Sequence, residues 1–231
     1  MKCMHNLLTA SVALAFAGLV QAAVPAADAS KLGSNLTAVG AEKAGNADGS
    51  IPAYTGGLTT APAGFKSGDT LRPDPYASEK PLLVIDGKNV AQYKNQLTAV
   101  TVELATRFPS FRVEVYPTHR SVALPKSVLD NTLKNATGAK SLEGGNAIEN
   151  VLPGVPFPIP QSGAEAMWNH LLRYQGVAYS TKYDSWNVDA SGAQILATSG
   201  EIVNSFPIFE DPGKVIEGKD TYFQTRLFYT G

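Results

Sequence analysis

Residues 219–229, Lys-Asp-Thr-Tyr-Phe-Gln-Thr-Arg-Leu-Phe-Tyr, decide the fold class. Successive side chains of a strand point to opposite faces. Tyr222, Gln224, Arg226 and Phe228 therefore share one face, and Phe223, Leu227 and Tyr229 the other. A strand that is apolar on both sides belongs to a sheet that is covered on each face or encloses something. Upstream, 176–181, 185–189, 193–199 and 201–207 read as further strands joined by Gly, Asp and Pro turns. Consecutive strands with short connections form antiparallel sheets.

Helices precede this run. Ser162-Gly-Ala-Glu165 is a capping box that opens a helix from 163 to about Tyr174. Gly154-Val-Pro-Phe-Pro-Ile-Pro160 must be extended, because three prolines alternate with apolar residues. Residues 137–147 read as a Gly/Ala-rich loop. Pro125 suits the first turn of a helix with Val128, Leu129, Leu133 and Ala136 inward. Phe111-Arg-Val-Glu-Val-Tyr116 alternates, with Phe111, Val113 and Val115 on one face and an edge or bulge at Pro117. Asn89 is placed to cap one helix from Val90 to about Phe108, whose stripe is Val90, Tyr93, Leu97, Val100, Leu104 and Phe108. Pro81-Leu-Leu-Val-Ile-Asp86 is a short strand. The order β-α-β-α-α followed by strands predicts an α+β fold: residues 81–231 as a curved antiparallel sheet, an open half-barrel, packed against two or three helices.

The N-terminal third is different. Residues 23–80 are dominated by Ala, Gly, Pro, Ser, Thr and Asn. Such a segment buries little apolar surface, so it is expected as an extended arm draped over the rest. Residues 1–22 carry Lys2, an apolar stretch Leu7 to Val20 and a small-x-Ala site at Val20-Gln21-Ala22, the pattern of a cleaved export signal. Its removal takes away Cys3, the sole cysteine, and leaves 209 residues with net charge −2. An exported chain without cysteine gains its stability from a core rather than disulfides. The near-neutral charge offers no footprint for nucleic acid. No apolar run is long enough to span a bilayer.

Chemistry is sparse. Beyond the leader the histidines are His119 and His170. There is no Gly-x-Ser-x-Gly elbow and no phosphate-binding loop. Asn46-Ala-Asp-Gly49 has the flavour of a calcium loop, but no carboxylate stands at the twelfth position, so it reads as a tight turn. No catalytic residue, metal or cofactor is assigned. Arg112, Arg120 and Arg173 could each grip an anionic head group through a bidentate fork.

Three stretches carry a family resemblance. They are Leu36-Thr-Ala-Val-Gly-Ala-Glu-Lys-Ala-Gly-Asn-Ala-Asp-Gly-Ser-Ile-Pro-Ala-Tyr-Thr-Gly-Gly-Leu58, Val115-Tyr-Pro-Thr-His-Arg120, and Gly154 to Tyr174. In this order they resemble the domain-of-unknown-function 1329 family of exported Gram-negative proteins. The resemblance implies a fold like that of the LolA-like outer-membrane lipoprotein-sorting carriers, an unclosed barrel around helices. It also implies work beside hydrophobe exporters of the resistance-nodulation-division class. It supplies no catalytic residue. Members are longer, so this chain is expected to correspond to an N-terminal half with an unpaired sheet edge.

The expected function is a non-enzymatic periplasmic carrier or scaffold for a hydrophobic ligand, a lipid or lipoprotein. Phe111, Val113, Val115, Trp168, Phe223, Leu227 and Tyr229 are the candidate lining. The alternative is a docking module for an exporter or outer-membrane protein, suited by the arm at 23–80. A third reading is an ester hydrolase with His119 or His170 as base.

Overall fold

A computed structural model describes residues 24–68 and 71–230. The export signal proposed at 1–22 lies outside the described residues. The fold is mixed α/β, with antiparallel sheets and a few helices and no closed barrel among the described residues.

The arm begins with a four-residue helix, α1 (Ala26–Ala29), and continues as turns and isolated bridges. The body starts with β1 (Leu83–Ile85), which pairs antiparallel with β2 (Val113–Val115), Ile85 opposite Val113. The single helix expected over 90–108 is two pieces, a 3-10 helix Val90–Gln96 and α2 (Ala99–Arg107). Leu97 is extended between them, and the Thr98 hydroxyl caps α2 by accepting from the Thr101 N–H at 3.2 Å. Asn89 makes no such cap. Its side chain accepts from the Asp86 N–H and donates to the Val84 carbonyl. The break rephases the stripe. Ala105 is buried and Val102 half-buried, whereas Val100 and Phe108 face solvent. Ile85, Val90 and Ala105, with Phe111 and Val113 packed on them, form a small core of their own.

The larger core collects Ile148, Val151, Phe157, Leu172, Phe206 and Phe209, with Trp168 against them. Helix α3 (Lys126–Gly138) buries an unexpected face. Val128 and Ala136 are buried as the pattern predicts, but Leu133 is exposed, and Asn131, Thr132 and Asn135 take the inner face. These polar groups grip the proline-rich segment. Asn135 accepts from the Leu152 N–H at 2.8 Å and donates to the carbonyls of Leu152 and Val155. Thr132 accepts from the Val155 N–H at 2.9 Å, and Asn131 donates to the Pro153 carbonyl. Prolines lack an N–H and leave carbonyls without ladder partners. A helix face of amides satisfies them where leucines cannot.

The stretch expected as a loop over 137–147 contains a hairpin, β3 (Lys140–Leu142) with β4 (Ala147–Glu149). Helix α4 (Gly163–Leu171) starts at its capping box: Ser162 accepts from the Glu165 N–H, and the Glu165 carboxylate returns to the Gln161 N–H. Then come β5 (Ala178–Val188), β6 (Gln194–Ser205) and β7 (Gln224–Thr230), one antiparallel sheet in that order. The four strands expected before 207 are two long ones. Lys182 to Asp184 and Gly200, which look like turn residues, sit inside the ladder, with Tyr183 opposite Gly200 and Ser199 donating to Asp184. The last strand starts at Gln224 rather than 219.

Candidate functional site

A cavity of about 310 Å³ lies between the arm and the body. It is formed where three separate lengths of chain meet. The arm supplies Ala38, Val39 and Ala41, the segment after β2 supplies Val122 and Leu124, and α3 supplies Leu129. Thr37, Tyr54, His119, Arg120 and Ser121 add the polar groups. Its size is at the small end of the roughly 300–1,000 Å³ typical of small-molecule sites, which are mainly apolar with a few placed polar groups.

The roof is a loop that Arg120 holds shut. One terminal nitrogen donates to the Glu42 carbonyl at 2.6 Å, and the other to the carbonyls of Lys43, Ala44 and Pro52 at 3.3–3.5 Å. The guanidinium also sits 5.3 Å from the centre of the Tyr54 ring. Tyr54 in turn donates its hydroxyl to the Val122 carbonyl at 2.8 Å. Two glycines allow the close approach. Gly40 has φ +86° and lies where a Cβ would collide with the Pro158 carbonyl. Gly57 has φ +78°, and a Cβ there would come within 2.3 Å of the Val122 oxygen. A tight turn over Thr37–Ala41, closed by the Ala41 N–H donating to the Thr37 hydroxyl, brings the apolar residues inward.

The wall at His119 is also a tie between arm and body. Its Nε2 is 2.8 Å from Glu79, and its ring stacks on Tyr76 at 3.7 Å and 5°. The Tyr76 hydroxyl is 2.6 Å from Ser121 Oγ. Ser121 thus has Tyr76, not His119, as its hydrogen-bond partner. His170 ends α4 beside Arg173, which donates to the His170 carbonyl at 2.8 Å.

The three motif blocks converge here. The first touches the second through Arg120 and Tyr54, and the third through Gly40 against Pro158. The model of a family described as a protein of unknown function, DUF1329, matches residues 84–231. The chain belongs to that family. It is also 51% identical over 158 residues to the uncharacterized protein PA3922 of Pseudomonas aeruginosa, a match covering 68% of this chain and 34% of that protein. The chain thus spans about a third of the length of this relative. No solved structure matches.

The structure distributes the residues singled out in the sequence. Phe111 and Val113 pack in the smaller core, and Val115 is exposed at the end of β2. Trp168 packs on the larger core, with Nε1 donating to the Gly145 carbonyl and its ring edge-on to Tyr222. Leu227 and Tyr229 are exposed on β7, with Phe223 just before it. These seven do not share a surface, and none of them lines the cavity. Arg112 is paired with Glu114 at 2.7 Å, and that bond, followed by one from Tyr116, holds the Glu114 carboxyl below the usual range. Arg173 is engaged with His170 and Gln175. Of the three arginines only Arg120 reaches the cavity, and it holds carbonyls. Tyr54, Val122, Leu124 and Leu129 line the cavity without being candidates from the sequence. Tyr54 stands inside the first motif block, so the signal existed, but no local pattern links it to α3.

At Asn46–Ser50 the expected tight turn forms. Asn46 accepts from the Ile51 N–H and Asp48 from the Ser50 N–H. Among the described residues no cluster of three His, Cys, Asp or Glu groups could hold a metal.

Proposed function

We propose that this DUF1329 chain is a periplasmic, non-enzymatic carrier or scaffold for a hydrophobic ligand of the lipid or lipoprotein class. The observation that carries the reading is the apolar cavity under the arm. It is lined by aliphatic side chains from three segments and roofed by a loop fastened through side-chain bonds. A site of this make takes an apolar end. Eight methylenes of a decanoyl chain bring about 6 kcal/mol of gross transfer energy at ~0.8 kcal/mol each, from which ordering and desolvation subtract. The cavity does not house a whole long-chain lipid, so cargo inserts one apolar group. In this reading β5–β6–β7 forms part of a curved open half-barrel, and cargo passes to an exporter of the resistance-nodulation-division class. No helix among the described residues is long and apolar enough to cross a membrane, which suits a partner that works alongside one. The docking alternative uses the arm for strand addition or draping, and this arm is already engaged with the body at Arg120, Tyr54 and His119, which favours the carrier reading.

Delipidating purification followed by native mass spectrometry tests the reading. The expected result is one decanoate bound per chain, and co-purified lipid before delipidation. Protein that neither carries nor takes up any amphiphile overturns it.

A further inference from the structure

Five polar side chains stand on the wall of the cavity under the arm, Thr37, Tyr54, His119, Arg120 and Ser121. Four of them are committed to the protein. The Arg120 guanidinium donates to loop carbonyls, the Tyr54 hydroxyl donates to the Val122 carbonyl, and the His119 ring bonds Glu79. The Ser121 and Tyr76 hydroxyls bond each other.

Thr37 is different. It is buried, with 7% of its surface exposed. Its backbone is fully engaged, the N–H donating to the Ala41 carbonyl at 2.7 Å and the carbonyl accepting from the Gly40 N–H at 3.0 Å. Its hydroxyl accepts from the Ala41 N–H at 3.1 Å. A hydroxyl has a proton to give as well as lone pairs to receive with, and among the described residues nothing accepts the Thr37 proton. Thr132, equally buried, shows the satisfied case: it accepts from the Val155 N–H and also donates to the Val128 carbonyl. The side chains that share the wall with Thr37, Val39, Val122, Leu124 and Leu129 among them, are aliphatic and offer no acceptor. A buried donor without an acceptor is costly, so whatever fills the space is favoured if it brings one. Water does so. A bare hydrocarbon that displaced the water would forfeit the bond, whereas cargo with a suitably placed oxygen keeps it.

We propose that Thr37 is the specificity-determining residue of this cavity, donating its hydroxyl proton to the carbonyl oxygen of a carboxylic ester, so that the group taken up is an acyl ester and not a plain hydrocarbon tail. The inference rests on the carrier reading and narrows its ligand class. An ester suits the wall because it is uncharged and only accepts. It asks nothing further of Arg120, Tyr54 or His119, which already have partners. An amide would bring an N–H that needs an acceptor of its own. A single placed donor in an otherwise apolar site fixes the orientation of the ligand and discriminates against analogues that lack the acceptor.

Methyl pentanoate and heptane, alike in chain length and different in the ester, are the probes. Each is titrated into the delipidated chain, into Thr37→Val and into Thr37→Ser, following the methyl resonances of Leu124 and Leu129. Valine keeps the shape and removes the hydroxyl, and serine keeps the hydroxyl. Thr37→Val is expected to bind methyl pentanoate about five-fold more weakly than the natural sequence does, with its affinity for heptane unchanged. Thr37→Ser should retain the preference for the ester. If Thr37→Val weakens both probes alike, the hydroxyl serves only the turn at Ala41 and the proposal is overturned. Ester affinity that ignores the substitution overturns it as well. A natural sequence that takes up neither probe removes the carrier reading and this proposal with it, a result distinct from the other two.

Discussion

Arg120 works on peptide carbonyls rather than on an anion. Its fork spans the Glu42–Pro52 loop, and the Tyr54 ring covers it. Hydrogen bonds from a charged group contribute about 1.5–3 kcal/mol when formed, and the carbonyls are left poorly satisfied when the donor goes. Arg120→Ala is therefore expected to destabilise the chain by about 2 kcal/mol, and to open a protease-sensitive stretch at 40–57, read by limited proteolysis. Arg120→Lys, a single point donor, should recover only part of the protection. At Gly57 the constraint is steric. Alanine there takes on a left-handed backbone and a clash with Val122, so a loss of about 1–3 kcal/mol is expected in chemical denaturation. The sequence marks Arg120 as a possible fork for an anionic head group, whereas in the structure it donates to backbone carbonyls, a target that was not legible. The carbonyls it meets are nearly 80 residues away, and backbone groups leave no trace in side-chain pattern.

Elements were most legible where local chemistry settles them. The capping box of α4 and the proline start of α3 follow from cap preferences, and both helices begin where those residues stand. The long helix over 90–108 failed because a six-point stripe says nothing of Thr98, which caps α2, while the Asn89 side chain is engaged by Asp86 and Val84. Leu133 was placed inward by period alone, whereas the inner face of α3 is chosen by the hydrogen-bond needs of Leu152–Val155. That account has a test. Asn135→Leu keeps the helix and the volume but leaves buried groups of Leu152 and Val155 unpaired, so a loss of about 2–4 kcal/mol is expected in urea unfolding. The hairpin turn of β5 and β6 offers a second. The Ser191 hydroxyl, then the N–H groups of Ala193 and Ser191, hold the Asp189 carboxyl below the usual aspartate range. A carboxyl lowered in the folded state stabilises at pH above its unfolded value, and that support disappears as pH falls through the folded value. Fraying of Gly192 and Ala193, read by amide exchange, is thus expected only at pH below about 4, and Asp189→Asn should remove the pH dependence.

At the scale of the whole molecule, the arm, the body and the sheet do different things. Composition leads one to expect residues 23–80 to drape over a core rather than make one, and the described part of the arm is tied to the body at Arg120, Tyr54 and His119. Where it lies depends on the meeting of three distant blocks at Arg120, Tyr54 and Pro158, a tertiary fact with no periodic signature. The apolar residues proposed as lining were chosen for chemistry common to cores, sheet faces and binding sites, and the structure spreads them over the two cores and exposed strand positions, with none at the cavity. The cavity under the arm is where the account stands or falls. The most direct measurement is an NMR titration of the delipidated chain with decanoate, following the methyl groups of Leu124, Leu129 and Val122, in the natural sequence and in Leu129→Trp, which fills the space. The account expects saturable one-to-one shifts of those methyls in the first and their loss in the second, with the remaining spectrum unchanged. Binding that survives Leu129→Trp, or shifts confined to β5–β6–β7, would contradict it.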